Sequence, residues 1–103
     1  MTFESIEKHF KQVSGEKRDE IVLFTLTTCG WCRKTKKLLN QLGVEYRYLD
    51  VDLLYGDEKT KAVKELDRWN PSHSFPTMVV NNERAIVGYQ EEKIKEALAH
   101  GGK

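Results

Sequence analysis

Both cysteines of this chain lie two residues apart in the segment TTCGWCRKTKKLL, directly after the apolar run IVLFTL. That run is β-branched and aromatic, and it is too uniformly apolar for a strand with one solvated face. In the segment after it, Trp31 to Leu42 form a helical wheel with basic residues on one arc. The opposite, apolar arc consists of Trp31, Thr35, Leu38, Leu39 and Leu42. Gly43 is a natural stop for this helix. Because the apolar run comes before the cysteines and the helical pattern comes after them, Cys29 and Cys32 are predicted to lie on a turn between a buried strand and a helix.

Size and charge limit what such a turn can belong to. A chain of 103 residues supports one hydrophobic core, so we expect a single domain spanning residues 1–103. A net charge of +1 gives no strong field that would attract nucleic acid or a membrane surface. The N-terminus lacks the apolar core of a secretory signal, and no apolar run approaches the roughly 18 residues of a bilayer span. We therefore expect a monomeric cytoplasmic protein, in which closely spaced cysteines are typically catalytic or metal-binding.

The N-terminal segment TFESIEKHFKQV has helical spacing. Its apolar residues Phe3, Ile6, Phe10 and Val13 recur at intervals of three and four, and the residues between them are mostly charged or polar. The pattern predicts an amphipathic helix that covers the rest of the domain.

The remaining segments predict an alternation of strands and helices. VEYRYLDVD indicates a second strand, parallel to IVLFTL because a helix separates the two, and GDEKTKAVKELDRW has helical spacing. TMVV and AIVG predict an antiparallel hairpin that turns at Asn81 and Asn82, and QEEKIKEALAH predicts a final helix. The expected fold is one four-stranded mixed sheet flanked by helices, with an extra N-terminal helix.

The position of the cysteines favours redox chemistry. A thiol at a helix N-terminus faces unpaired backbone N–H groups and the positive end of the helix dipole, both of which favour the reactive thiolate. Cys29 has that position, whereas Cys32 lies one turn inside the helix and is expected to be shielded. The alternatives are a zinc site and a non-catalytic binding module. Zinc needs about four ligands, and no two of the histidines are paired at ligand spacing: His9, His73 and His100.

Three motifs resemble those of the glutaredoxins, which have the thioredoxin fold: CGWC after IVLFTLTT, FPT at the start of a strand, and VGYQEEKI at the start of the last helix. The resemblance extends from about Ile21 to Leu98. It implies a disulfide oxidoreductase in which Cys29 attacks, Cys32 resolves, and the Cys29–Cys32 pair is the only redox group. It also implies a cis peptide bond at Pro76 beside the cysteines. The substrate-binding residues expected on this basis are Gly30, Trp31, Phe75, Pro76, Thr77 and Gly88.

Two departures from the glutaredoxin pattern concern glutathione. Leu26 stands where typical members have a lysine, and the segment Val87–Gln90 replaces a Gly-Gly-x-Asp sequence. The Val-Gly-Tyr-Gln pattern is similar to redoxins that take electrons from a flavin reductase and deliver them to ribonucleotide reductase. The expected partners are therefore proteins with disulfides, ribonucleotide reductase among them, and the expected donor is a thioredoxin reductase or a ferredoxin-linked reductase. The alternative is a glutathione-dependent glutaredoxin. Gly30 permits the iron-sulfur-bridged dimer that some glutaredoxins form, but weak glutathione binding argues against it.

Four further features allow a functional and a purely structural interpretation. Trp31 is interpreted as part of a docking surface for peptides, and Trp69 as a core residue. His73 is interpreted as a solvated loop histidine. The basic run RKTKK is equally compatible with guidance of an acidic partner and with a solvated helix face.

Overall fold

The computed structural model describes residues 4–101, with the side chains of residue 6 and of residues 8–98. The five strands are β1 (Lys11–Val13), β2 (Ile21–Thr25), β3 (Tyr46–Asp50), β4 (Thr77–Val80) and β5 (Arg84–Val87). The three α-helices are α1 (Gly30–Leu42), α2 (Gly56–Trp69) and α3 (Glu91–Gly101). Short 3-10 helices span Glu4–His9 and Val51–Leu53. None of the helices in this part of the chain has the length and apolar character needed to cross a bilayer.

The strands form one mixed sheet in the order β1-β3-β2-β4-β5. Strand β2 is central, runs parallel to β3 and antiparallel to β4, and is buried along its whole length, as its apolar sequence predicts. The pairs Thr25 with Asp50 and Thr77 with Val87 set the register at one end of the sheet. At this end of the sheet the strands β2, β3 and β5 finish and β4 begins. The cysteines, which follow β2, therefore lie at this end.

Each face of the sheet has its own apolar cluster. On the face covered by α1 and α3, the buried residues are Ile21, Leu23, Leu38, Leu39, Val44, Tyr46, Met78, Val80, Ile86, Ile94, Ala97 and Leu98. On the face covered by α2, they are Ile6, Val22, Phe24, Leu49, Val51, Leu54, Ala62, Leu66 and Val79. Successive residues of a strand point to opposite faces, which is why neighbours such as Leu23 and Phe24 belong to different clusters. The apolar residues that α1, α2 and α3 contribute to these clusters are thus buried against the sheet.

The predicted N-terminal helix is confirmed only in part. The segment forms the 3-10 helix Glu4–His9 and then strand β1, so the sheet has five strands and not four. Strand β1 pairs antiparallel with β3 and covers the backbone groups that β3 would otherwise expose at the sheet edge. Ile6 and Phe10 pack on the α2 side, whereas Val13 packs on the α1 side. Phe3, the first residue of the predicted face, lies outside the described residues.

The predicted hairpin is confirmed. Asn81 and Asn82 adopt φ angles of 55° and 53°, a left-handed conformation that asparagine tolerates better than most residues. The Asn81 side chain also ties the turn to the segment before β2, since its Nδ2 donates to Asp19 at 2.9 Å and its Oδ1 accepts from the Glu20 N–H at 2.9 Å.

Candidate active site

The cysteines lie where the chain passes from β2 into α1. Cys29 is the N-cap residue of the helix, and its sulfur accepts a hydrogen bond from the Cys32 N–H at 3.0 Å. The two residues form a disulfide, with their Cα atoms 5.2 Å apart. Cys29 is partly exposed, whereas Cys32 is buried, with 1% of its surface exposed. A backbone N–H aimed at Cys29 Sγ is the interaction that would stabilise a thiolate there after reduction.

Two carboxylates at the end of β3 hold the segment that precedes Cys29. The Thr25 hydroxyl donates to Asp50 Oδ1 at 2.6 Å. The Thr27 N–H donates to Asp52 Oδ1 at 3.0 Å, and the Thr27 hydroxyl donates to Asp52 Oδ2. Because these bonds favour the ionised carboxylate, the hydrogen bond from the Thr27 hydroxyl first of all, the pKa of Asp52 lies below its usual value.

The sequence analysis did not identify this pair of carboxylates. The signal was present as two aspartates at alternate positions at the end of the predicted strand VEYRYLDVD, opposite two threonines at the end of its parallel neighbour. Carboxyl ends of parallel strands share one edge of a sheet, so the four side chains lie close together.

The peptide bond between Phe75 and Pro76 is cis, as predicted. The Pro76 carbonyl accepts a hydrogen bond from the Gly88 N–H at 2.8 Å, so the residues before β4 and after β5 lie side by side. Gly88 has a φ of 80°, a conformation that L side chains rarely adopt. Phe75 is partly buried against the apolar cluster on the α2 side.

Thr77 is fully buried, and its side chain is already engaged. Its hydroxyl donates to the Ser74 carbonyl at 2.9 Å and accepts from Asn70 Nδ2 at 3.0 Å. Asn70, which the sequence analysis overlooked, is itself 4% exposed and also binds Ser72 and Ser74. The Thr77 side chain is thus held by the segment before β4, and its backbone lies in the sheet between Phe24 and Val87.

Trp31 belongs to the apolar arc of α1 but lies at the surface, as its interpretation as part of a docking surface requires. Its side chain is 58% exposed and stacks on Tyr89, with ring centroids 5.8 Å apart and planes at 23°. Lys34 Nζ lies 5.3 Å from the Trp31 ring centroid and 5.7 Å from that of Tyr89. Trp31, which lies between the two cysteines, and Tyr89, which follows Gly88, therefore form one continuous surface.

The histidines considered as metal ligands are bonded elsewhere. His9 Nε2 lies 2.8 Å from Glu58 Oε1, and His73 Nε2 lies 2.8 Å from Asp67 Oδ1, while the side chain of His100 is outside the described residues. Among the side chains that the structure describes, no group of three or more His, Cys, Asp or Glu residues is arranged to hold a metal ion. The prediction that Trp69 is a core residue holds in part, since it packs against the α2-side cluster and donates to Glu65 at 3.3 Å.

Comparison with known proteins assigns the family. The glutaredoxin family profile matches residues 21–85, from the start of β2 into β5. The chain belongs to the glutaredoxin family. Among solved structures, methanoredoxin from Methanosarcina acetivorans is 53% identical with a TM-score of 0.82, covering 85% of this chain and 94% of that one. The glutaredoxin from Methanosarcina mazei Go1 is 50% identical with a TM-score of 0.81, covering 87% of each chain.

A plant relative supports the same assignment. Glutaredoxin-C1 from Arabidopsis thaliana is 33% identical over 89 residues, which are 80% of this chain and 69% of that protein. This glutaredoxin therefore has a thioredoxin-like fold and a Cys-x-x-Cys pair, in a family of thiol-disulfide oxidoreductases. The N-terminal 3-10 helix and β1 lie outside the segment matched by the family profile.

Proposed function

We propose that this glutaredoxin is a dithiol reductase of protein disulfides that receives its electrons from a dedicated reductase and not mainly from glutathione. The observation that carries the proposal is the asymmetry of the two sulfurs. Cys29 is partly exposed at the start of α1 with a backbone N–H aimed at its sulfur, and Cys32 is buried one turn later. Such an arrangement assigns the first attack to Cys29 and the second to Cys32.

The reaction then proceeds in two exchange steps. The Cys29 thiolate attacks one sulfur of the substrate disulfide, a mixed disulfide forms, and the other substrate sulfur leaves as a thiolate that takes up a proton. Cys32 loses its proton, and its thiolate attacks Cys29 Sγ. The second substrate thiol is released and the Cys29–Cys32 disulfide closes. Two electrons pass from the dithiol to the substrate, and no bound cofactor takes part.

The choice of electron donor rests on the surroundings of the cysteines. Leu26, at the position of the expected lysine, packs its side chain partly buried against the α2-side cluster and offers no charge. After Gly88, Tyr89 stacks on Trp31, and Gln90 Nε2 donates to the Val87 carbonyl at 2.6 Å. Each charge-assisted hydrogen bond that a glutathione carboxylate fails to make costs on the order of 1.5 to 3 kcal/mol. These features support weak use of glutathione.

Stopped-flow reduction of the oxidised protein tests the proposal. The three donors are millimolar glutathione, a flavin-dependent thioredoxin reductase with its nicotinamide cofactor, and a ferredoxin-linked reductase with reduced ferredoxin. One reductase should reduce the protein much faster than glutathione does, and the reduced protein should then reduce the disulfides of insulin. Fast turnover with glutathione alone would contradict the choice of donor, and failure to reduce insulin would contradict the activity.

A further inference from the structure

We propose that the side chains around the start of α1 form a docking surface for protein segments that carry acidic residues next to their disulfide. The surface, called here the basic rim, consists of Trp31, Arg33, Lys34 and Tyr89. The inference names the substrate class for the reductase activity proposed above and rests on that activity.

Arg33 occupies one side of the rim. Gly30 has no side chain, and Arg33 Nη2 lies 3.9 Å from the position that a Cβ on Gly30 would occupy. The guanidinium group therefore lies against the turn that carries Cys29. Arg33 is also among the positive charges that help to lower the pKa of Lys36, an effect dominated by burial of Lys36 and opposed by Asp50. Positive charge is thus crowded along this side of the helix.

Lys34 occupies the other side. Its ammonium group lies over the stacked rings of Trp31 and Tyr89, which keeps the charge next to the exposed tryptophan. The nearby carboxylate of Glu91 already pairs with Lys95 at 2.9 Å and accepts a hydrogen bond from the Tyr89 hydroxyl at 3.2 Å. The charge of Glu91 is therefore shared with another cation. The exposed carboxylate of Asp52 lies on the Thr27 side of the turn, so the positive excess belongs to the α1 side of the dithiol.

The occupant follows from this distribution of charge. The whole chain carries 17 basic and 16 acidic residues, whereas the α1 sequence GWCRKTKKLLNQL contains basic residues and no acidic one. An otherwise balanced protein therefore presents a basic surface on the α1 side of its reactive sulfur. Clustered charge of this kind accelerates the encounter with an oppositely charged partner. The exposed Trp31 ring supplies the apolar contact, which suits an extended acidic segment of a protein.

Three synthetic peptides test the inference. Each contains one intramolecular disulfide, and the residues next to its cysteines are all glutamate, all glutamine or all lysine. Fully reduced protein is mixed with each peptide under quenched flow, and the reduced peptide is quantified by chromatography. The glutamate peptide should react roughly tenfold faster than the lysine peptide at low ionic strength, and the ratio should shrink as salt is added.

Two matched variants locate the effect. The double variant R33Q/K34Q removes two positive charges from the rim, and K61Q/K64Q removes two from exposed positions on α2, on the other face of the sheet. The glutamate-to-glutamine rate ratio should fall roughly 3- to 10-fold in R33Q/K34Q and stay at the wild-type value in K61Q/K64Q. Equal ratios in both variants, or equal rates of the three peptides with the wild type, would overturn the inference.

Small disulfides separate the remaining outcomes. If the protein reduces neither the peptides nor the neutral bis(2-hydroxyethyl) disulfide, the reductase activity itself fails. If it reduces the neutral compound but treats all peptides alike, only the docking inference fails. If dithiodipropionate, a small dicarboxylate disulfide, shows the full preference of the glutamate peptide, the cations serve small anions and the protein-docking inference is overturned.

Discussion

Removal of the Asp52 carboxylate should loosen the turn that presents Cys29. Asp52 accepts both the N–H and the hydroxyl of Thr27, the first at 3.0 Å. Asp52 is exposed, so each bond is assigned about 0.5 to 1 kcal/mol, the lower part of the usual range. The variant Asp52→Ala should therefore lower the free energy of unfolding by about 1 to 2 kcal/mol at pH 7.

Urea unfolding of the oxidised protein measures this loss. Asp52→Asn is the matched control, because its amide oxygen can still accept the Thr27 N–H and its amide nitrogen can donate to the hydroxyl. It should lose about half as much as Asp52→Ala. Thr27→Ala combined with Asp52→Ala should destabilise the protein by less than the sum of the single variants, since the two changes remove a shared bond.

The pH dependence has a defined sign. The pKa of Asp52 is lowered in the folded protein, so its stabilising effect is complete above the unfolded pKa of about 3.9 and is lost as the pH falls through the lower folded value. The stability difference between the wild type and Asp52→Ala should thus be constant near neutrality and shrink in strong acid to about the difference between Asp52→Asn and Asp52→Ala. A full difference that persists in strong acid, or no difference at pH 7, would refute the role given to the carboxylate.

Two further substitutions and one titration test the fold and the site. Gly88→Ala should destabilise the protein by about 1 kcal/mol, because Gly88 has a φ of 80°. The control Gly30→Ala should not destabilise it, because a Cβ has room there. Equal losses of stability in urea unfolding would contradict the role given to the φ of Gly88. Leu39→Ala should cost about 2 to 5 kcal/mol in the same assay, because Leu39 is fully buried, and a loss typical of a surface residue would contradict its place in the core. The pKa of Cys29 in the reduced protein should lie below the roughly 8.5 of a free thiol, and an unshifted or raised value in ultraviolet thiolate absorbance would remove the helix-end mechanism.

The strand, turn and helix around the cysteines could be predicted because local signals agree there. The apolar run of β2, the basic and apolar arcs of α1, and Gly43 at its end all indicate the same boundaries. Gly43 ends the helix with a φ of 73° and donates its N–H to the Asn40 carbonyl, as the sequence predicts for a C-terminal glycine. Helix α2 begins and ends at the predicted residues for a similar reason, since its apolar spacing extends from Ala62 to Trp69.

The N-terminal segment could not be predicted from spacing alone. Ile6, Phe10 and Val13 have intervals compatible with one helix face, yet the chain passes the sheet edge and places Val13 on the opposite side from the other two. What decides the structure is the free edge of β3, which β1 covers by antiparallel pairing. That edge is a tertiary feature, and helical propensity over a short segment is too weak to prevail against it.

The site was predicted in its reactive groups but not in its supports. The spacing of Cys29 and Cys32 indicates the dithiol directly. Asp52 contacts Thr27, which lies 25 positions away in the chain, and Asn70 contacts Thr77, which lies 7 positions away. Only the register of the sheet and the loop before β4 bring these partners together. The partner of Trp31 was likewise not predicted, because Tyr89, on which its ring stacks, belongs to a segment that the helical wheel of α1 does not include.

Trapping of the mixed disulfide tests the division of labour between the two cysteines most directly. Reduced Cys32→Ser and Cys29→Ser proteins are mixed with a disulfide-bonded substrate, quenched with acid, and examined by intact-protein mass spectrometry. Cys32→Ser should accumulate a covalent adduct through Cys29, because the attacking sulfur is present and the resolving sulfur is not. Cys29→Ser should form an adduct far more slowly, because the attacking sulfur is missing. Adducts that form equally fast in both variants, or only in Cys29→Ser, would contradict the assignment of Cys29 as the attacking sulfur.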